Sequence, residues 1–324
     1  MTVLVTGDLH FTTNPHDEYR WGIIDWLCDN SKDVDELILV GDYTGPKDNH
    51  PAALVNRWKE GIDKLASHFG MVFLLYGNHD GLTADQPFWK FIHQIKPNVY
   101  FINSPSYLEL SIGKCLFIPA GTDWSKLNRI DVIRYIFTHA TFEGAVSETG
   151  FRLTGVSMEH VERLATEIIS GDIHKPQRIG EYVEYVGAPY HIRFGDQYLP
   201  RILKIDDGGG RYDLRYPAPL KLVYDITSLA DFDNLSINHK QQAKIRVHLD
   251  RGSLTQWPII RDEINNVARE AGWANIRPEL VLKPEAAATP QVAGDRKSPE
   301  QLVEDYAKRH NASEHHIEIG KSLL

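Results

Sequence analysis

The chain has 324 residues, 42% of them hydrophobic and 24% charged, a balance that excludes a disordered or fibrous protein and allows a substantial core in more than one domain. Its formal net charge of -9 counts against a stand-alone nucleic-acid binder without excluding a local basic groove. Two cysteines, Cys28 and Cys115, cannot build a disulfide framework, no apolar run reaches membrane-spanning length, and residues 1–5 are too short for the apolar stretch of a signal peptide, so a reducing cytoplasm and no membrane are expected.

Taken in chain order, five apolar, strand-like runs each end in side chains that can ligate a metal. Residues 2–6 are β-branched and apolar and run straight into Asp8 and His10. Residues 17–29 place Trp21, Ile24 and Leu27 at helical spacing, which predicts a helix before the second run, residues 37–40, and its Asp42. Residues 51–69 predict a second helix. The third run, 72–76, leads to Asn78, His79 and Asp80, and residues 86–95 after it read as helical. Strands are expected near 107–111 and 114–119, then at 132–137 before His139 and at 168–171 before Asp172 and His174. In open α/β sheets, sites gather beyond the carboxyl ends of the strands. Helix and strand alternate first and strands crowd later, which predicts an α/β fold of two packed sheets with helices outside.

Residues 185–205 read as strand-like and enter the turn Gly208-Gly209-Gly210, which lacks the Lys-Ser/Thr tail and following helix of a phosphate loop. Strands at 220–226, 243–249 and 276–282 around an amphipathic helix at 257–271 form a small α+β module. Residues 284–297, rich in Ala, Pro and Gly, read as a flexible linker. Ser298-Pro299-Glu300-Gln301 then starts a helix with the apolar stripe Leu302, Val303, Tyr306, Ala307. The expected division is therefore 1–219, 220–283, 284–297 and a helical tail at 298–324. His315 and His316 in that tail read as exposed residues, not ligands.

A lone Asp or His at a strand end is ordinarily a turn former or a satisfied polar group; five such sites in order are not. Carboxylate and amide oxygens suit hard divalent cations, and imidazole shifts the preference toward manganese, iron or zinc. Two such ions about 3.5–4 Å apart clamp a phosphate, polarise its phosphorus and generate hydroxide from water near neutral pH, while an imidazole beside them serves the leaving oxygen.

These five strings resemble the calcineurin-like metallophosphoesterase superfamily, whose order is D-x-H, G-D, G-N-H-[DE], H, G-H-x-H. The resemblance implies that Asp8, His10 and His174 bind one ion, Asn78 and His139 the other, that Asp42 bridges them and that His79 is the catalytic imidazole. Asp172 stands where the superfamily has a histidine and is read as a carboxylate ligand of the second ion, which biases the pair toward harder ions. Asp80 supports the site from behind, either orienting His79 or capping the next helix. The superfamily often has a further histidine just after the bridging aspartate; here the stretch is Gly41-Asp42-Tyr43-Thr44-Gly45, so that role is absent or falls to another residue such as His50.

Gly171-Asp172-Ile173-His174-Lys175-Pro176-Gln177, then Tyr185-Val186-Gly187-Ala188-Pro189 and Phe194-Gly195-Asp196, resemble more narrowly the SbcD type of DNA repair nuclease, compact versions of which occur among phage-encoded recombination nucleases. This resemblance implies a capping domain at 220–283 that contacts DNA, two ions, manganese with magnesium as the alternative, and exonuclease action on duplex ends accompanied by single-strand endonuclease cutting. The stripe of the C-terminal helix could be buried by docking back on its own domain; the resemblance implies instead that it binds the coiled-coil base of an SbcC-like ATPase, with a homodimer inside a heterotetramer, in the host cytoplasm for a phage protein. Lys47, His50, Arg57, Lys126, Arg129, Lys175, Arg178 and Arg193 are the DNA-contact candidates. The alternatives are a small-molecule phosphatase or phosphodiesterase, for which linker, capping module and docking helix are superfluous, and a non-catalytic scaffold, whose signature would be lost ligands.

Overall fold

The computed structural model describes residues 1–94, 96–127, 133–164, 167–238, 241–273, 275–283 and 307. The expected linker and, apart from Ala307, the expected tail lie outside them. The chain forms two compact units, Met1–His248 with Thr255–Val281, and Leu249–Leu254 with Leu282–Leu324.

The first unit is built on two six-stranded sheets. One has the order Arg211–Leu214, Ile202–Asp206, Thr2–Thr6, Glu36–Leu39, Met71–Leu75, Val99–Ile102; the other has Gln177–Ile179, Val183–Tyr185, Glu167–Gly171, Tyr135–His139, Gly113–Ile118, Ser106–Leu110. Four adjacent strands in each are parallel, with Leu4 opposite Leu37 and Leu37 opposite Val72 in the first, and Phe117 opposite Phe137 and Phe137 opposite Ile169 in the second.

Strand alternation divides the core. Val3, Val5, Ile38, Phe73 and Leu75 face Cys115, Phe117, Phe137 and Ile169 between the sheets. Leu4, Leu37, Leu39, Val72 and Leu74 face the opposite way, onto Ile24, Leu27, Trp58, Ile62 and Leu65 of helices Gly22–Asp29 and Ala52–His68. Ile136 and Ile168 pack with Val161 and Leu164 of helix Met158–Leu164. Because both faces are buried, the strands read as continuous apolar runs. This is the expected α/β fold of two sheets flanked by helices. Both cysteines are buried free thiols, and among the described residues no helix is long and apolar enough to cross a membrane.

Four local expectations change. Residues 17–29 are not one helix: a 3-10 helix, Pro15–Trp21, precedes the α-helix Gly22–Asp29, and its three-residue turn puts Asp17 and Arg20 on one buried face. Residues 86–94 are not an α-helix, and position 95 lies outside the described residues: Gly81–Thr83 pairs with Gln86–Pro87 as a short hairpin, followed by the 3-10 helix Phe88–Gln94. A Cβ at Gly81 would lie 2.7 Å from Pro87 Cα, so glycine permits the hairpin and Pro87 removes a helical donor. The strand at 185–205 is interrupted between Tyr185 and Ile202, where Gly187 and Gly195 have φ of 77° and 89°. The fourth strand is Tyr135–His139 and carries His139 itself; position 132 lies outside the described residues. The Gly208-Gly209-Gly210 turn does join an antiparallel pair, Ile202–Asp206 with Arg211–Leu214.

Strands Leu220–Ile226, Gln241–Leu249 and Ile276–Leu282 form a third sheet. Helix Trp257–Glu270 buries Ile260, Ile264 and Ala268 along one stripe. Contacts tie this part of the unit to the first loop: Lys221 Nζ donates to Asp17 Oδ1 at 2.7 Å and Gln242 Nε2 to His16 O at 2.7 Å. In the second unit, Lys283 N donates to Leu249 O and Ser253 N to Asp250 Oδ1.

Candidate metal centre

The parallel strands of both sheets end at one edge, and the residues just beyond them form a pocket of about 360 Å³ lined by His10, Asp42, Asn78, His79, Asp172 and His174, among others. Neighbouring loops hold each other in register: Asp8 N donates to Gly41 O and His10 N to Asp42 O, both at 3.0 Å.

Asp8, His10, Asp42 and Asp172 are the non-glycine residues with positive φ among the described residues, at 52°, 43°, 58° and 83°. L side chains avoid this region, and such strain persists where surrounding contacts over-determine it, which is typical of functional sites. Two glycines make room. A Cβ at Gly41 (φ 97°) would lie 2.5 Å from His139 Nδ1, and one at Gly77 would lie 2.4 Å from Asp42 Oδ1.

The donor atoms converge. Asp42 divides its carboxylate, Oδ2 lying 3.6 Å from His10 Nε2 and Oδ1 3.3 Å from His139 Nε2. On the first side, His10 Nε2 faces His174 Nε2 at 3.1 Å, with Asp8 close by. On the second, Asp172 Oδ1 lies 3.8 Å from His139 Nε2 and 3.4 Å from Asn78 Nδ2, while Asp172 Oδ2 accepts from the Thr141 hydroxyl. Three triads have ligand atoms within 4.8 Å of one another: Asp8, His10 and His174; His10, Asp42 and His79; Asp8, Asp42 and His139. All seven ligand residues anticipated from the sequence, Asp172 included, are therefore neighbours.

The donor set fits divalent ions. Among the described residues, Asp8 Oδ2 and His139 Nε2 are fully buried polar atoms without a hydrogen-bond partner, which is costly unless something occupies them. His139 Nδ1 donates to Val40 O at 2.7 Å, so its Nε2 carries the lone pair in the neutral ring. Burial, then the nearby Asp42 and Asp172 carboxylates, raise the Asp8 pKa well above the usual carboxylate range, with His139 opposing them. Burial disfavours a charged His139, but Asp42, Asp8 and Asp172 outweigh it and push its pKa up to about 9. Burial and then His174 and His79 lower the pKa of His10. Crowded carboxylates beside a neutral imidazole that has lost its solvent are what a cation stabilises.

His79 sits at the pocket wall. Its backbone N donates to Asp42 Oδ1 at 2.8 Å and its Nδ1 lies 2.8 Å from Gly45 O; a carbonyl only accepts, so Nδ1 bears a proton and Nε2 is left to exchange one.

Asp80 neither orients His79 nor caps a helix. It is fully buried and accepts from the backbone N of Asp42, Tyr43 and Gly77 at 2.8–3.0 Å, clasping the second and third loops together. Burial and Asp42 push its pKa up to about 8 against those three donors.

Three residues of the site carried no readable signal in the sequence, two lining the pocket and one behind Asp172. Glu148 Oε1 accepts from His174 N at 3.0 Å and lies 3.3 Å from His174 Nδ1. Arg20 lines the pocket while donating to His10 O and Ile192 O. Thr141, two residues beyond His139, donates its hydroxyl to Asp172 Oδ2.

The cationic candidates scatter. Arg193 lines the pocket. Lys47 lines an adjoining cleft that also contains Asn78, and Lys175 lines a groove with Arg201 and Arg215. His50 is a positioning residue for the second loop, its Nε2 2.9 Å from Thr44 Oγ1 and its ring stacked on Phe88. Arg57 pairs with Glu18 over the Trp21 ring, Lys126 pairs with Asp123, and Arg178 donates to Glu181 O. Arg129 lies outside the described residues.

No curated protein matches this sequence. Residues 1–176 match the calcineurin-like phosphoesterase family, a span that holds every donor described above, and the chain belongs to that family of metal-dependent phosphoester hydrolases.

Proposed function

We propose that this chain is the DNA-cutting subunit of a two-component nuclease, acting on duplex ends with an SbcC-like ATPase docked on its C-terminal helix, as a homodimer within a heterotetramer, with manganese as its metal and the cytoplasm as its place of work. Besides the SbcD-like strings, the observation that carries the DNA reading is a cationic, aromatic face in a chain whose net charge is -9. Phe194, next to Arg193 of the pocket, has Arg277 and Lys244 at 5.2 and 5.7 Å from its ring centre, with the buried Lys221, paired with Asp17, on the ring at 5.6 Å. Lys244, Arg246 and His248 alternate outward along strand Gln241–Leu249 while Ile245 and Val247 point inward. Glu279 and Asp225 partly neutralise them, and Arg277 and Arg193 supply charge for phosphates. Cations interleaved with a ring suit a polynucleotide backbone and its bases; a small-molecule phosphatase has no use for them.

In this reading Asp8, His10 and His174 would hold one ion, Asn78, His139 and Asp172 the other, and Asp42 both. When bound, the ions polarise the phosphoryl group and supply a nucleophile from water. Arg193 orients the phosphodiester at the pocket, while the buried Arg20 holds the loop of His10 through the His10 carbonyl. The His79 imidazolium gives its Nε2 proton to the departing oxygen, Gly45 O keeping the ring in register through Nδ1. A scaffold role is disfavoured because every position retains a side chain able to bind metal.

The test is digestion of linear and circular DNA with manganese, with and without the candidate ATPase, by wild type and His79→Ala. Metal-dependent loss of DNA that His79→Ala abolishes is expected. Hydrolysis of bis(4-nitrophenyl) phosphate with every DNA left intact would overturn the reading.

A further inference from the structure

Asn78 borders two clefts. One is the pocket of the metal centre; the other, of about 590 Å³, adjoins the hairpin tip and is bordered by Lys47, Leu82, Asn103, Pro105, Pro119 and Thr122. We propose that this second cleft seats the unpaired base of a nucleotide flanking the scissile phosphate, an inference that rests on the nuclease reading above.

Charge separates the two clefts. The pocket gathers carboxylates, imidazoles and two guanidiniums, whereas the charged residues of the second cleft are Lys47 and Asp85, of opposite sign. It is therefore no anion site, and a phosphate has no reason to enter it. Its walls combine apolar surfaces from Pro105, Pro119, Ala120 and Leu82 with the polar groups of Asn103, Thr83 and Thr122. A heterocycle with two π faces and a hydrogen-bonding edge is the part of a nucleotide that matches such a wall. Leu82 is 66% exposed at the hairpin tip, where a base would cover it.

The cleft is already formed. Asn103 Nδ2 donates to Ala84 O at 2.8 Å, pinning the hairpin, and its carbonyl oxygen is left for a ligand donor. Thr122 Oγ1 donates to Pro119 O at 2.8 Å, and Ala120 N to Tyr76 O at 3.0 Å. Little ordering is required on binding. Lys47, exposed at the rim, is placed for the next phosphate of the same strand.

A base held here has left its stack and its pairing partner, so the nucleotide beside the cut must be unpaired. The cleft thus makes local melting part of substrate selection: frayed or mismatched ends enter it more readily than closed duplex.

The test compares cleavage of single-stranded oligonucleotides with and without an abasic residue on either side of the cut, in wild type and in Thr122→Trp, which fills the cleft. At one flanking position the abasic residue lowers wild-type kcat/KM by roughly tenfold or more, in line with the value of one stacked base, and Thr122→Trp brings the intact-to-abasic ratio close to one. Asn103→Ala, with folding of both variants checked by thermal melting, lowers the same ratio. Equal cutting of intact and abasic strands by wild type, or an unchanged ratio in the folded variants, overturns the base site while leaving the nuclease reading in place. Hydrolysis of bis(4-nitrophenyl) phosphate with no oligonucleotide cut overturns both.

Discussion

Glu148 Oε1 touches His174 twice, accepting from its backbone N at 3.0 Å and lying 3.3 Å from its Nδ1, while His174 Nε2 faces His10. The Glu148 carboxylate opposes the burial that lowers the pKa of His174, and a carboxylate beside an imidazole raises the basicity with which its other nitrogen can take a metal. Glu148→Gln is expected to weaken the first metal site about 10- to 100-fold, measured by calorimetric titration of the chelated protein with manganese. Unaltered affinity would show that Glu148 only shapes the loop.

Proton and metal compete for the buried cluster. His139, with its pKa raised to about 9, stabilises the metal-free fold below its unfolded value of about 6.5, and that contribution disappears as pH rises through about 9. Asp8, also raised, has the same sign. The chelated protein should therefore melt at progressively lower temperature between pH 6.5 and 9, whereas the manganese-induced rise in Tm should grow over the same range, because binding displaces those protons. Parallel melts at several pH values check this; a metal shift independent of pH would contradict it.

Asp172 is the one ligand position at which the chain departs from the superfamily order. Asp172→Ala should reduce bound manganese from two ions toward one per chain, read by elemental analysis after dialysis, and Asp172→His should keep two with an altered preference among metals. Thr141→Val, which removes the hydroxyl on Asp172 Oδ2, should give a weaker form of the Ala phenotype.

His79→Ala should keep both ions yet lose about 10²- to 10⁴-fold in turnover, the range for a lost general acid. Loss of an ion together with activity would move His79 from proton donor to ligand.

Gly41→Ala is expected to destabilise the fold by about 1–3 kcal/mol, because alanine there must adopt a positive φ and its Cβ would meet His139 Nδ1. Chemical denaturation in chelator measures the loss, and metal affinity should fall with it.

The sandwich and the convergence of the candidate ligands were legible in the sequence because both obey short-range rules. A strand buried on both faces must be apolar throughout, and a parallel sheet delivers the residues after each strand to one edge; hence Asp8, Asp42, Asn78, His139 and Asp172 could be named from their place after apolar runs. What the chain order could not reveal depends on contacts between distant segments. Glu148 reaches His174 across 26 positions, and Asp80 reaches back 38 to Asp42. The hairpin after Asp80 exists because Gly81 can approach Pro87, a preference weaker than the helical pattern that hides it. His50 and Arg57 show the converse: a basic side chain near a ligand in sequence turned to Thr44 and to Glu18, because a long side chain follows the nearest partner in space. Sequence periodicity decided which atoms arrive at the edge; only the packing of one sheet on the other decided which of them meet.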